Sequence, residues 1–378
     1  MGRVTQVSDL KNGPCMTRRT FLAAAAAVGA AAFLYSNAPA VAAAIENSGK
    51  RVVWLRGSGC GGCTSSILNG GNPEILTALG KISLGLAYHD GLMAQQGVFV
   101  DGSPAGDAGH NSNILLDGLI DEGKYVLIVE GAILNGPEGS GRYCMSGATP
   151  FKQVFMNAAP GASCIIALGT CASYGGVSRL LKAADATGVS FCGTSRLEGA
   201  MARYGLSNSV INVPGCPPNP DWLLLTLADV LSGVDVEVDA YGRPKAFFGS
   251  AVHESCPRRG AFDRAARDDW FSGGNCLYNL GCKGMLAFAD CPSRRWNGGA
   301  SMCTQSGGPC VACVEPGFPE AFMPFFSKTE SRGILEDVDV DTAAKIIIGA
   351  SVIGAGIHAV KRLAIGESGR EDEKGGKR

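Results

Sequence analysis

Four short apolar runs, each closed by glycine or proline, mark the chain up to residue 218. Arg51-Val52-Val53-Trp54-Leu55 leads into Gly57-Ser58-Gly59-Cys60-Gly61-Gly62-Cys63, and Tyr125-Val126-Leu127-Ile128-Val129 leads into Glu130-Gly131. Cys164-Ile165-Ile166-Ala167-Leu168 leads into Gly169-Thr170-Cys171, and Val210-Ile211-Asn212-Val213 into Pro214-Gly215-Cys216-Pro217-Pro218. Such runs, apolar on both faces and bounded by breakers, predict strands of a parallel sheet covered by helices. A helix is expected after the first run, from Thr64 to Leu68. The expected fold class is α/β, an open parallel-sheet domain over residues 45–235. Beyond Asp235 the alternation fades, and residues 236–330 read as a second, loop-rich domain with little regular structure.

The two ends differ from the middle. Residues 1–44 read as an export signal: Arg18-Arg19 precedes an apolar stretch, Phe21 to Leu34, and small residues around Ala40-Val41-Ala42 or Ala42-Ala43-Ala44 offer a cleavage site. The twin-arginine route carries folded, cofactor-loaded proteins, so a periplasmic protein loaded before export is expected. In the tail, 331–378, Ile346 to Val360 holds no charged residue and is flanked by Lys345 and Lys361-Arg362. As a helix it would span roughly 22 Å, short of the ~30 Å hydrocarbon core unless its flanks snorkel. A membrane anchor is the preferred reading of this tail, and a helix docked on a partner the other.

Charge narrows the partners. Residues 45–378 carry 29 basic and 33 acidic side chains, so there is no basic footprint for nucleic acid. With 46% hydrophobic residues the chain can bury a sizeable core, and its 54 glycines follow no repeat period.

The chemistry lies in the cysteines. Cys60, Cys63, Cys171 and Cys216 each fall within eight residues of a strand's carboxyl end. In an open parallel sheet those ends line one crevice, so the four should converge into one Cys₄ site. Gly57-x-Gly59-x-x-Gly62 also fits the dinucleotide fingerprint, but no acidic residue closes a second strand near Lys81-Ile82-Ser83-Leu84, and the two cysteines change the loop's chemistry. A second group, His253, Cys256, Cys276, Cys282, Cys291, Cys303, Cys310 and Cys313, places eight donors within 61 residues poor in core formers. Burial alone cannot offset the ordering entropy of such a segment, whereas metal–thiolate bonds can. Eight donors divide into two four-ligand sites with no open position, which suits electron carriers or structural metals.

Taken together these motifs resemble the small, electron-transferring subunit of [NiFe] hydrogenases. The resemblance spans about Arg51 to Phe326 plus the leader. It is carried by Cys60-x2-Cys63, Tyr88-His89-x3-Met93, Gly169-x-Cys171-x3-Gly175-Gly176, Pro214-Gly215-Cys216-Pro217-Pro218, His253-x2-Cys256, Cys291-Pro292-x3-Trp296-Asn297 and Cys310-x2-Cys313-x-Glu315-Pro316. It implies a flavodoxin-like sheet domain with a proximal [4Fe–4S] cluster on Cys60, Cys63, Cys171 and Cys216. It implies a distal [4Fe–4S] cluster on His253, Cys256, Cys276 and Cys282, the histidine marking the exit for electrons, and a medial cluster on Cys291, Cys310 and Cys313. In many members a proline stands where this chain has Cys303, so a medial [4Fe–4S] rather than [3Fe–4S] is expected. Gly62 and Gly176 stand where the oxygen-tolerant subgroup has extra cysteines, so an ordinary proximal cluster and oxygen sensitivity are expected.

The implied partner is a large subunit bearing the Ni–Fe centre, where H₂ is oxidised; this chain has no catalytic residue of its own. Electrons would leave toward a cytochrome or quinone-linked membrane partner. Competing readings are a flavodoxin-like cluster-bearing member of another redox complex, a zinc-stapled module and an exported disulfide scaffold, the last opposed by the tight Cys-x2-Cys spacings. Cys164, at the head of a strand, is expected in the core, and Cys144 and Cys192 carry no assignment. His89 and His110 are expected as polar surface or interface groups. Glu130 is expected at the large-subunit interface or as a plain surface carboxylate.

Overall fold

A computed structural model describes residues 50–70, 86–101, 103–271 and 273–328. The export leader and the apolar tail lie outside these residues. Described residues up to Ser327 belong to one unit; of the second unit, Lys328–Arg378, only Lys328 is described.

The sheet is built from five parallel strands: β1 (Arg51–Arg56), β2 (Leu86–His89), β3 (Tyr125–Glu130), β4 (Ala162–Leu168) and β5 (Val210–Val213). Their order, β5-β4-β3-β1-β2, reverses between β3 and β2, the doubly wound arrangement in which a crevice opens at the strands' carboxyl ends. Central β3 is buried at every position, which explains its unbroken apolar run. It pairs with β1 from Arg51↔Tyr125 to Arg56↔Glu130 and with β4 from Val126↔Cys164 to Glu130↔Leu168. Strand β2, with Trp54↔His89 opposite β1, ends later in the chain than Lys81–Leu84, and Asp90 follows it beside Arg56 at 3.6 Å.

Alternation along the strands splits the core in two. Val53, Leu55, Leu127, Val129, Ile165 and Ala167 pack with Leu116 and Leu119 of α2 (Ser112–Glu122) and Phe151 and Phe155 of α3 (Phe151–Ala158). Val52, Trp54, Val126, Ile128, Ile166 and Val213 turn to the other face, against Trp222, Leu224 and Leu227 of α5 (Pro220–Leu231). Two short helices complete the set: α1 (Gly62–Ile67), after β1, and α4 (Gly169–Tyr174), after β4. Helix α5 begins where Asn219 accepts from the Asp221 N–H at 3.1 Å and Pro220 supplies its fixed φ at the first turn.

The α5 side of the core does not stop at the sheet region. Phe247, Val252, Ala287, Met302, Ala312 and Val314 join the same buried cluster. Residues 236–328 otherwise consist of short helical turns such as Arg259–Asp263, Tyr278–Leu280 and Cys291–Arg294, with isolated bridges and no longer strand among those described. Here the chain is held by side chains more than by ladders. Arg294 donates to Asp290 at 2.7 Å and to Asp221 of α5 at 3.3 Å, and Asn219 Nδ2 donates to the Arg295 carbonyl at 2.6 Å. These bonds seat the Cys291 turn on the start of α5.

Candidate metal centres

The strand-end loops bring the first four thiols together. The charges that act on Cys63 come from Glu130, Cys171, Cys60 and Cys216, and Cys60 and Cys216 act on Cys171. Burial, followed by these negative neighbours, drives the Cys63 thiol far above its ordinary range; burial takes Cys171 up to about 11, against a hydrogen bond from the Val177 N–H. Two glycines make room. A Cβ at Gly169 would lie 2.5 Å from Cys63 Sγ, and one at Gly176 would lie 2.6 Å from Cys171 Sγ, each glycine also having positive φ. Cys60 and Cys216 are exposed, so the group opens to the surface.

Beside Cys63 lies a buried polar cluster that composition alone does not announce. Glu130, only 2% exposed, accepts from Trp54 Nε1 at 3.2 Å, from the Thr64 N–H at 3.2 Å and from Thr64 Oγ1 at 2.5 Å. His89, 1% exposed, lies with Nε2 3.2 Å from Thr64 Oγ1 and accepts at Nδ1 from the Gly91 N–H at 3.0 Å. The Gly91 bond fixes the tautomer: Nε2–H donates to Thr64, whose hydroxyl in turn donates to Glu130. Burial, then the Arg56 charge, pulls the His89 pKa down to about 4, so the ring is neutral. Neither residue is the surface group expected from sequence. Trp54, Thr64 and Arg56, which enclose them, come from the β1–α1 segment; the signal was the polar Thr64 and the indole Trp54 in an otherwise apolar and glycine-rich stretch. His110 is exposed and pairs with Asp107 at 2.9 Å.

The second region forms two neighbouring groups. Cys256 and Cys282 act on Cys276, and Cys256 also acts on Cys282. Cys256 Sγ lies 3.6 Å from Thr304 Oγ1. His253 joins their loops through its backbone, donating to the Gly284 carbonyl at 2.9 Å and accepting from the Cys256 N–H at 3.3 Å, and its ring packs edge-on to Phe262 at 4.7 Å. In the other group Cys313, Cys310 and Cys303 all act on Cys291, and Cys303 acts on Cys310 and Cys313. Burial pushes Cys291 and Cys310 well above the thiol range and Cys313 up to about 12. Cys303 is the exposed member of this set.

A buried ion-pair latch, missed in sequence although Glu315 stands in the Cys310-x2-Cys313-x-Glu315-Pro316 motif, supports this group. Arg243, 4% exposed, donates from Nε to Asp239 at 2.8 Å and from Nη1 to Glu315 at 2.9 Å, with its guanidinium over Tyr241 and Phe248. Glu315 also accepts from the Phe288 N–H at 2.8 Å. The latch thus ties the segment after Cys313 to the one before Cys291.

The donor set can be tested against an iron–sulfur cofactor. All fourteen described cysteines are free, so no disulfide holds the crowded groups, and the charged neighbours of Cys63 are all negative when ionised. Buried sulfurs driven toward the neutral thiol, packed against one another and against a buried carboxylate, are stabilised when a cationic core displaces their protons. Thiolate with one imidazole is the chemistry of iron–sulfur ligation. The residues fit. Among the described residues no three His, Cys, Asp or Glu side chains close around a site for one metal ion. Cys164 packs on the α5 side of the core, as expected, while of the two unassigned cysteines Cys144 packs on the α3 side and the Cys192 thiol points to the Ala186 carbonyl at 3.6 Å.

Fold and sites define a thiol-rich α/β redox protein. Residues 248–326 match the family of the C-terminal part of the NiFe/NiFeSe hydrogenase small subunit, and residues 60–230 match the NADH ubiquinone oxidoreductase, 20 Kd subunit, family. The chain is 46% identical over 365 residues to the F420 non-reducing hydrogenase II small subunit of Methanosarcina mazei, covering 93% of this chain and 94% of that one. It is 33% identical over 307 residues to the periplasmic [NiFeSe] hydrogenase small subunit of Desulfomicrobium baculatum, covering 76% and 91%. The solved [NiFeSe] hydrogenase of Dm. baculatum superposes with a TM-score of 0.63 at 31% identity, over 74% of this chain and 99% of that chain. The chain therefore belongs to the NiFe/NiFeSe hydrogenase small-subunit family. Members carry iron–sulfur clusters that take electrons from the large, catalytic subunit with which they form a heterodimer.

Proposed function

We propose that this chain conducts electrons from H₂ oxidation in its large subunit through three clusters. Cys60, Cys63, Cys171 and Cys216 would hold a proximal [4Fe–4S], Cys291, Cys303, Cys310 and Cys313 a medial [4Fe–4S], and His253, Cys256, Cys276 and Cys282 a distal [4Fe–4S]. Each cluster, when bound, accepts and releases one electron at a time. The chain's own residues set the conditions for this: they partly bury Cys63 and Cys313 and place a fixed carboxylate, Glu130, beside the proximal group. The observation that carries the reading is the mutual approach of four thiols drawn from three separate strand-end loops, lined by Gly169 and Gly176. Cys303, set among Cys291, Cys310 and Cys313, supports a four-iron medial centre. Gly62 and Gly176 support an ordinary proximal cluster and oxygen sensitivity.

Export by the twin-arginine route follows from the leader and agrees with the periplasmic relative. The tail would associate the complex with a membrane and a cytochrome or quinone-linked acceptor. Among the described residues no helix is long and apolar enough to cross a membrane. Iron, acid-labile sulfide and EPR of the anaerobic heterodimer test the cluster assignment. The expected result is three four-iron clusters in this chain, with no signal from an oxidised three-iron centre. A three-iron signal refutes the medial assignment, and colourless, sulfide-free protein refutes all three.

A further inference from the structure

At two places a loop of one predicted ligand set is hydrogen-bonded to a ligand of the neighbouring set. The Cys310 N–H donates to Cys282 Sγ across 3.4 Å, and the Cys313 carbonyl accepts from Thr170, the residue before Cys171. Cys310 and Cys313 lie in one Cys-x2-Cys turn, so this turn touches the distal set at one end and the proximal set at the other. The first contact is braced by backbone alone: the Lys283 N–H donates to the Cys310 carbonyl at 2.7 Å. The second is made by a side chain. Thr170 Oγ1 donates to the Cys313 carbonyl and accepts from the Gly215 N–H at 3.0 Å, while the Thr170 N–H donates to the Gly215 carbonyl at 3.0 Å. This hydroxyl is buried, with its residue 1% exposed, and it sits next to Cys171 in sequence, as Gly215 sits next to Cys216. One side chain therefore ties together the loops of two proximal ligands and the peptide of a medial one.

We propose that Thr170 is a positioning residue for electron transfer between the proximal and medial centres, its hydroxyl holding the Cys313 peptide against the Gly215 amide that precedes Cys216. This inference rests on the ligand assignment above. In the step it serves, the proximal centre would be oxidised by one electron and the medial centre reduced by one; no bond forms or breaks, and the hydroxyl proton stays on Thr170. The contact acts in two ways. It offers a hydrogen-bonded route between the two sets, from the Gly215 amide through the Thr170 hydroxyl to the Cys313 carbonyl, and a hydroxyl donated to a ligand's peptide stabilises the added negative charge of the reduced medial centre.

The test uses the complete, anaerobic complex of this chain with its large subunit, carrying Thr170, Thr170→Val or Thr170→Ser. Valine keeps the volume and removes the hydroxyl; serine keeps the hydroxyl. Three quantities are read: hydrogen exchange of the Gly215 amide, the midpoint potential of the medial centre from EPR-monitored titration, and H₂-driven reduction of a one-electron dye relative to H₂/D₂O isotope exchange at the partner's metal centre. Thr170→Val is expected to raise Gly215 exchange about tenfold, the effect of losing one buried hydrogen bond. It is also expected to move the medial potential downward and to lower dye reduction relative to isotope exchange. Serine is expected to restore all three. A merely structural Thr170 would lower thermal stability in the valine variant yet leave the potential and the ratio unchanged, which would overturn the proposal. If the valine variant does not assemble, Thr170→Ala, which leaves room for a water at the hydroxyl position, is read for the same potential and ratio. A wild-type complex devoid of acid-labile sulfide would overturn the ligand assignment and this inference together. Unchanged variants in a sulfide-replete complex would overturn this inference alone.

Discussion

Replacing Glu315 with leucine should strip Arg243 of its Nη1 acceptor and leave the Phe288 N–H without a partner. Arg243 is 4% exposed and Glu315 about as buried, at 7%, so water cannot take over. Removing one partner of a buried, hydrogen-bonded pair costs about 3–5 kcal/mol, because the remaining charge stays desolvated. Asp239, whose Oδ2 lies 2.8 Å from Arg243 Nε, keeps the cost toward the lower figure. For a chain of this size about 2 °C of melting temperature is lost per kcal/mol, so a fall of roughly 6–10 °C is expected. Arg243→Met should cost a similar amount, and the double variant less than the sum of the singles by about 1–3 kcal/mol, since it leaves neither ion of the pair stranded. The assay is thermal unfolding of the anaerobic heterodimer, with iron content measured alongside, as the latch joins the segments that flank Cys313 and Cys291. A fall under about 2 °C for Glu315→Leu, or strictly additive single effects, would refute the view that this pair organises the medial loops.

Acid should destabilise the protein through His89. Its folded pKa, about 4, lies below the ordinary 6.5, so the unfolded chain binds the proton first and stability is lost as pH falls from about 6.5 through 4. The loss from this ring alone approaches about 3 kcal/mol below pH 4. Arg56, Asp90 and, through Thr64, Glu130 face it, so His89→Gln should flatten the acid limb between pH 6.5 and 4, and an unaltered limb counts against the assignment. Gly176→Ala should place a methyl 2.6 Å from Cys171 Sγ at positive φ and so lower the iron bound by the first thiol group, measured as iron per chain; full occupancy would show that the loop yields freely. Cys303→Ala should reduce the iron count by one and bring out the EPR signal of an oxidised three-iron centre, and a spectrum identical to wild type would exclude Cys303 as a ligand.

The sheet was legible because its strands are buried on both faces. Each apolar run became a strand, β1, β3 and β4 extending one or two residues beyond their runs, and the glycine-rich ends that interrupt the runs became the crevice. Strand β2 carries no comparable signal, since Leu86-Ala87-Tyr88-His89 mixes polar with apolar positions; its burial is decided by Trp54 and Thr64 from the neighbouring segment. The approach of Cys60, Cys63, Cys171 and Cys216 followed from strand ends sharing an edge. What could not be read was long-range pairing of single polar groups. Glu130 looks like a surface carboxylate until three donors from β1 and α1 are seen to converge on it. Thr170 looks like an ordinary turn residue until Cys313, 143 positions later, is found at its hydroxyl. Arg243 and Glu315 give no periodic signal at all.

The buried cluster that unites Trp222 and Leu224 with Val252, Met302 and Val314 bears on biogenesis. A nascent chain halted before residue 236 would cover this helix on its sheet side alone and leave the side that meets Val252, Met302 and Val314 open to water. The later cysteine loops, for their part, have no scaffold until that helix is in place. The helix and the later cysteine loops thus complete each other, and neither reaches its full packing before the chain has been made to about residue 314.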